Sequence, residues 1–263
     1  MSVVGRVTCS DLGNGVAQIL LDNPPLNLIT VDMALFLERA LIQAADDPSV
    51  RVVVISGAGE RAFSAGSDIK EFPPIMDDFV GKKLRRESAV YSRIETIPKP
   101  VIAAVNASAL GGGCELSLAC DFRIIDENAK IGLPEINIGA FPGSGGMSRL
   151  PKLIGTSRAM EMLCFGSVLS AQEALQIGLV HRVAPAGKAM DAAYDMACVL
   201  SRKAMFSLRC IKEAVLAAPL QSAAESAEMC MRLTETAFKT ADCLEGIRAF
   251  LGKYKPKFEG APE

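Results

Sequence analysis

Three nearly continuous apolar runs constrain this chain more than any other feature: Val50 to Ser56, Val101 to Val105 and Phe122 to Ile125. A strand with one face in water alternates apolar and polar residues, and these runs do not. Each therefore reads as a strand buried on both faces, which in soluble proteins means a largely parallel sheet covered by helices. Val16 to Asp22 is a further strand, ending in the turn Asn23-Pro24-Pro25. A helix follows, capped by Thr30 or Asp32, with Met33, Phe36, Leu37, Ala40, Leu41 and Ala44 at helical spacing and a stop at Asp46-Asp47-Pro48. Alternating strands and helices make an α/β fold.

The remainder divides by composition. Met76 to Ile94 reads as a charged helix, and its Lys82-Lys83 and Arg85-Arg86 run as a solvated face. Beyond Gly146 helices dominate. Ser170 and Glu173 form a capping box, and Ala- and Met-rich helices cover 191–203, 206–217, 222–238 and 241–253. The expected organisation is an α/β core over residues 1–190 and a helical region over 191–263.

Composition removes several function classes. The formal net charge of −2 argues against a general nucleic-acid-binding surface and leaves room only for a local basic pocket. No run approaches the ~18 apolar residues of a membrane span, and the first residues lack a signal-peptide pattern; a cytoplasmic protein is expected. The eight cysteines include no Cys-x-x-Cys pair, and His181 is the single histidine. Reduced thiols, no metal and a structural His181 are the expectation. Gly57-Ala58-Gly59-Glu60-Arg61-Ala62 matches a loose dinucleotide pattern, but Phe63-Ser-Ala-Gly-Ser-Asp68 puts another turn where the crossover helix should run, so a strand-ending turn is the better reading.

The chemistry concentrates at glycine turns. Val101 to Val105, then Ala107 to Leu110, lead into Gly111-Gly112-Gly113-Cys114-Glu115, an apolar approach to a helix start where unpaired N–H groups point outward. Ala65-Gly66-Ser67-Asp68-Ile69-Lys70 is a second such turn. Two turns ending strands of one parallel sheet offer one N–H each, and a converging pair makes an oxyanion hole. Glu115 sits in a helix apolar nearly all round (Leu116, Leu118, Ala119, Cys120), so its carboxylate is expected to be buried. Glu135, 20 residues on in Leu133-Pro134-Glu135, can return to the same place. Two close buried acids split their titration, one protonated and one ionised. A buried structural acid pair is the alternative.

Taken together and in order, these motifs resemble the crotonase (enoyl-CoA hydratase/isomerase) superfamily. The match runs from Leu21-Asp-Asn-Pro-Pro25 through Phe63 to Glu71, Lys99 to Asn106, Gly111 to Leu116, Leu133-Pro-Glu135, Phe141 to Gly146 and Ser170 to Ala174, to Glu245-Gly-Ile-Arg-Ala-Phe250. The resemblance implies a spiral of ββα units with a C-terminal helical trimerisation region, assembled as a homotrimer or dimer of trimers. It also implies an acyl-CoA thioester substrate of lipid metabolism, with coenzyme A part of the substrate and no separate cofactor. By position, the N–H groups of Ser67 and Gly112 would hold the thioester oxygen. Glu115 would activate water towards C3, and Glu135 would protonate C2. Leu26, Ala65, Asp68, Ile69, Pro134 and Gly143 would line the substrate path, with Phe250 and Lys253 reaching a neighbouring subunit's CoA. Ser67 stands where Ala is usual, and the turn before Leu26 lacks the basic residue many relatives carry. Alternatives are an isomerase, hydrolase or hydratase-lyase of the same superfamily, or a non-catalytic CoA- or RNA-binding member. The apolar residues Pro73, Pro74, Ile75, Met76 and Phe79 in the expected lid suggest an apolar acyl group.

Overall fold

The computed structural model describes residues 5–259. In chain order the elements are β1 (Arg6–Asp11), β2 (Val16–Asp22), α1 (Val31–Asp46), β3 (Val52–Gly57), β4 (Ala62–Ser64), α2 (Arg85–Thr96), β5 (Val101–Val105), β6 (Ser108–Leu110) and α3 (Gly112–Ala119). Then come β7 (Phe122–Asp126), β8 (Lys130–Gly132), α4 (Gly146–Ile154), α5 (Thr156–Phe165), β9 (Val168–Ser170), α6 (Ala171–Gln176) and β10 (Arg182–Ala184). Four helices close the chain: α7 (Ala189–Leu200), α8 (Met205–Ala217), α9 (Ala223–Ala237) and α10 (Ala241–Gly252).

Two sheets result. The larger has the order β1-β2-β3-β5-β7-β10, parallel except for the β1-β2 hairpin. The smaller has the order β4-β6-β8-β9, with β4, β6 and β8 parallel. The unbroken apolar runs have a direct explanation. Val53, Ile55, Val101 and Ala103 face one core with α1, α2 and α3, whereas Val52, Val54, Ile102 and Ala104 face a second core closed by Ala189, Ala193 and Ala197 of α7. Both faces are dry, so both positions of the strand repeat are almost all apolar; Ser56 and Arg123 are the buried exceptions, and Arg123 donates to the carbonyls of Leu179, Ser117 and Cys120.

Local signals place most boundaries. Thr30 Oγ1 accepts from Met33 N at 3.1 Å and starts α1, and the Ser170–Glu173 capping box starts α6 as expected. The glycine pattern after β3 is a turn into β4, with no crossover helix following it, so no dinucleotide fold is built there. His181 Nδ1 accepts from Arg123 N at 3.2 Å, and burial beside two arginines lowers its pKa to about 4, a structural role. The cysteines are free thiols, and no helix among the described residues is long and apolar enough to cross a membrane.

Two expectations need correction. The strand that delivers α3 is β6, in the small sheet; the run Val101–Val105 is β5 of the large one. Met76 to Ile94 is also not one solvated helix. A 3₁₀ turn (Pro73–Asp78) and a π turn (Val80–Leu84) precede α2, and Lys83 and Glu87 are buried. The wide π turn swings Lys83 inward, where its ammonium donates to Ile29 O at 2.8 Å and Glu71 Oε2 at 3.2 Å. Lys82 alone of that lysine pair stays at the surface.

Candidate active site

The site grows from the parallel pair β4-β6. Each strand ends on a glycine turn, so the two turns lie side by side. Leading out of β4, Gly66 O accepts from Ile29 N at 2.8 Å and Asp68 N donates to Ile29 O. Ser67 lies between these bonds in an extended backbone, so its N–H faces the opposite way, towards Gly112. Gly66 has φ +93°, and a Cβ there would stand 3.0 Å from Gly112 N. Only glycine lets the second turn approach this closely. Gly112 is the first residue of α3, so its N–H lacks an intrahelical acceptor and stands at the positive end of the helix. A Cβ added to Gly112 would lie 3.5 Å from Ser67 N, which shows how close the two turns come.

Two carboxylates face this pair of amides. All eight residues of α3 are buried, Glu115 among them. Its Oε1 accepts from Ser144 N in the turn before α4 and from Gly146 N, the first residue of that helix, both at 2.8 Å. Burial raises the Glu115 pKa to about 7; the two amides resist that rise, and the charges of Glu87 and Glu135 add to it. Glu135 opens a 3₁₀ turn after β8, and burial also raises its pKa, with Glu87 contributing. Its Oε2 is buried and accepts no hydrogen bond from the protein. That oxygen is available to a bound ligand. The split expected from mutual repulsion is thus secondary, because solvent exclusion is the larger cause at both acids.

The cavity they share has a volume of about 210 Å³. Of the residues expected from sequence, Ala65, Ser67, Ile69, Gly112, Glu115, Pro134, Glu135 and Gly143 line it. Asp68 instead caps the next turn, its Oδ1 accepting from Lys70 N at 3.0 Å. Leu26 lies outside the lining but pins it, its carbonyl accepting from Ala65 N at 3.0 Å. Phe250 borders a separate hollow with Ala204, Ser207 and Phe258, and Lys253 caps α10; within one chain neither joins the cavity.

Sequence reading missed Ser144 and the face of α2 that closes the cavity. Lys83, Glu87 and Tyr91 follow one another at a spacing of four, so they share a helix face with the apolar Leu84. Tyr91 Oη donates to Gly112 O at 2.9 Å and fixes the second turn. Arg149 of α4 donates to Ser144 O at 3.0 Å and pairs with Glu95 at 2.6 Å, fixing the turn that holds Glu115. The apolar part of the lining comes from Phe72, Phe79, Leu84, Ile138 and Phe141.

Comparisons with known proteins agree with this fold. The profile of the family described as enoyl-CoA hydratase/isomerase matches residues 11–261. A probable enoyl-CoA hydratase of Bacillus subtilis is 39% identical over 247 residues, covering 93% of this chain and 95% of that protein. A crotonyl-CoA hydratase of Syntrophomonas wolfei is 37% identical, covering 89% and 90%. The crystal structure of an enoyl-CoA hydratase from Bacillus anthracis superposes with a TM-score of 0.93 at 36% identity, covering 97% of this chain and all of that one. With its fold, its paired glycine turns and a match over nearly its whole length, the chain belongs to the enoyl-CoA hydratase/isomerase family of enzymes, the crotonase superfamily.

Proposed function

We propose that this protein adds water across the C2–C3 double bond of a 2-enoyl-CoA to give a 3-hydroxyacyl-CoA. The observation that carries this reading is the convergence of Glu115 and Glu135 on one cavity beside the Ser67 and Gly112 amides. With the thioester oxygen on those amides, attack at C3 moves charge onto an oxygen that already meets two fixed donors. Glu115, ionised, takes a proton from water as its oxygen bonds to C3. The resulting enolate collapses as Glu135 delivers a proton to C2 from the same side, a syn addition. One proton then passes from Glu115 to Glu135 to reset the pair. Burial raises both carboxyls, Glu115 to about 7, so the pair retains protons near neutral pH, and the sequence starts from the state in which Glu135 keeps its proton and Glu115 has lost its own. The apolar wall of Phe72, Phe79, Ile138 and Phe141 favours an apolar acyl group; turnover of highly polar acyl-CoAs alone would overturn that preference. The test is loss of enoyl-thioester absorbance on crotonyl-CoA. Rapid loss supports the hydratase; binding without loss moves the protein to another reaction of the superfamily.

The pH dependence has a definite sign. Glu115 must be ionised to act as base, and its pKa is raised to about 7. Below that value the carboxyl is protonated, so kcat/KM falls about tenfold per pH unit on the acid side, because it reports groups of the free enzyme. A kcat/KM flat from roughly pH 5.5 to 8, a range that spans its folded pKa, would remove Glu115 as base.

We further infer a homotrimer or dimer of trimers. Helix α8 buries none of its residues, although it carries Ile211, Val215 and Leu216, and Phe238 of α9 and Leu251 of α10 are also exposed. A surface this apolar on a terminal helical region fits self-association. Light scattering after size exclusion should give three or six times the 27.9 kDa chain mass; a monomer would refute it.

A further inference from the structure

The cavity wall contains a third carboxylate that the proposed chemistry does not use. Glu87 of α2 is buried, only 1% exposed. Its Oε1 accepts from Ser144 Oγ at 2.9 Å, and its Oε2 accepts from Ser67 Oγ at 3.2 Å. Lys83 Nζ lies 3.7 Å from Oε2 but is closer to Glu71, at 3.2 Å. Each serine belongs to one half of the site. Ser67 supplies one of the two converging amides, and Ser144 supplies a backbone N–H that holds Glu115 Oε1. The carboxylate thus spans the two halves, which come from different loops and share no backbone hydrogen bond among the described residues. It also lies against the second amide's residue: a Cβ on Gly112 would meet Glu87 Oε1 at 3.0 Å.

Burying a carboxylate that is only partly shared with one lysine is costly, and burial does raise the Glu87 pKa against the pull of Lys83 and the two serines. An apolar residue would fill this wall more cheaply, so the cost points to a role in geometry. It also explains the hydroxyl at position 67. The Ser67 side chain is turned back to Glu87, which makes it a tether for its own amide and not a contact for the acyl chain.

We propose that Glu87 is a positioning residue that, by accepting hydrogen bonds from Ser67 and Ser144, holds the oxyanion-hole amide and the turn carrying Glu115 in one fixed geometry. This rests on the oxyanion-hole reading above, so its test uses an unreactive thioester as well as turnover. Butanoyl-CoA bound to the wild type should show its thioester carbonyl stretch moved to lower frequency by the two amides. Glu87→Ala should lose most of that displacement and lower kcat on crotonyl-CoA by about 10- to 100-fold, the range expected for a misplaced catalytic group. KM should stay within about threefold, since CoA contacts are untouched. Glu87→Gln keeps an acceptor oxygen and should recover part of both. The Ser67→Ala/Ser144→Ala double variant removes the donors and leaves the carboxylate; it should match Glu87→Ala, and adding Glu87→Ala to it should change little.

A wild-type carbonyl band and kcat in Glu87→Ala would overturn the proposal. If that variant does not fold, the same result in the serine pair overturns it. A wild type that polarises the carbonyl yet does not hydrate crotonyl-CoA would refute the hydratase reading, and the carbonyl bands of the variants would still decide the role of Glu87. A wild type with no band displacement would refute the oxyanion hole and this inference together.

Discussion

Glu115→Gln is expected to lower kcat for crotonyl-CoA hydration by about 10²–10⁴-fold, the usual contribution of a general base. The amide is nearly the same shape, and its oxygen can still accept from Ser144 N and Gly146 N, so the turn before α4 should stay in place. What disappears is basicity alone. The same change should raise stability at alkaline pH. A carboxyl whose folded pKa lies above its unfolded value costs nothing at pH values below both and its full penalty above both. For Glu115 that window runs from the ordinary carboxylate range up to about 7. At pH 8 the variant should therefore unfold at a higher temperature than the wild type, by up to about 3 kcal/mol in free energy. At pH 4 the difference should vanish. Near-wild-type turnover would remove Glu115 from the mechanism, and lower stability at pH 8 would show that burial is not what raises its pKa.

Glu135→Gln is expected to reduce turnover by a similar two to four orders of magnitude, roughly, with CoA affinity nearly unchanged. Its Oε2 makes no bond within the protein, so little of the fold depends on its chemistry. Protonation at C2 does, because no other uncommitted acid among the described residues lines the cavity: Glu115 is held by two amides and Glu87 by two serines. The two acid variants should also differ in kind. With Glu115→Gln, attack on C3 is lost and the enoyl thioester persists. With Glu135→Gln, exchange of the C2 proton of a saturated acyl-CoA with deuterated solvent should fall in parallel with hydration. Exchange at the wild-type rate would assign the C2 proton to another group.

Much of this site was legible from residue order. The turns at Gly66 and Gly112, the helix that buries Glu115 and the return of the chain at Glu135 all rest on local rules: a glycine where the backbone must approach closely, an apolar helix, and a short strand-loop connection. The caps at Thr30 and Ser170 were equally local, each satisfied within three residues. The turns over residues 73–84 and the burial of Lys83 and Glu87 were not legible. Lys83, Glu87 and the arginines form a charge run that a helix would normally turn to solvent, and no local rule marks two of its members as buried. Their burial comes from the π turn and from the Ile29 carbonyl and Glu71, which lie far away in sequence.

The sequence by itself determined the main strands and helices outside residues 73–84, which turns expose amides, and which two acids accompany them, because those features depend on backbone preference and neighbours within a turn or two. Only the tertiary structure decided how those groups behave. It brought β4 beside β6 so that two amides converge, excluded water from Glu115 until its pKa reached about 7, and drew Glu87 into the wall between two serines. Desolvation and convergence are set by segments distant along the chain, and they exist only once those segments have packed.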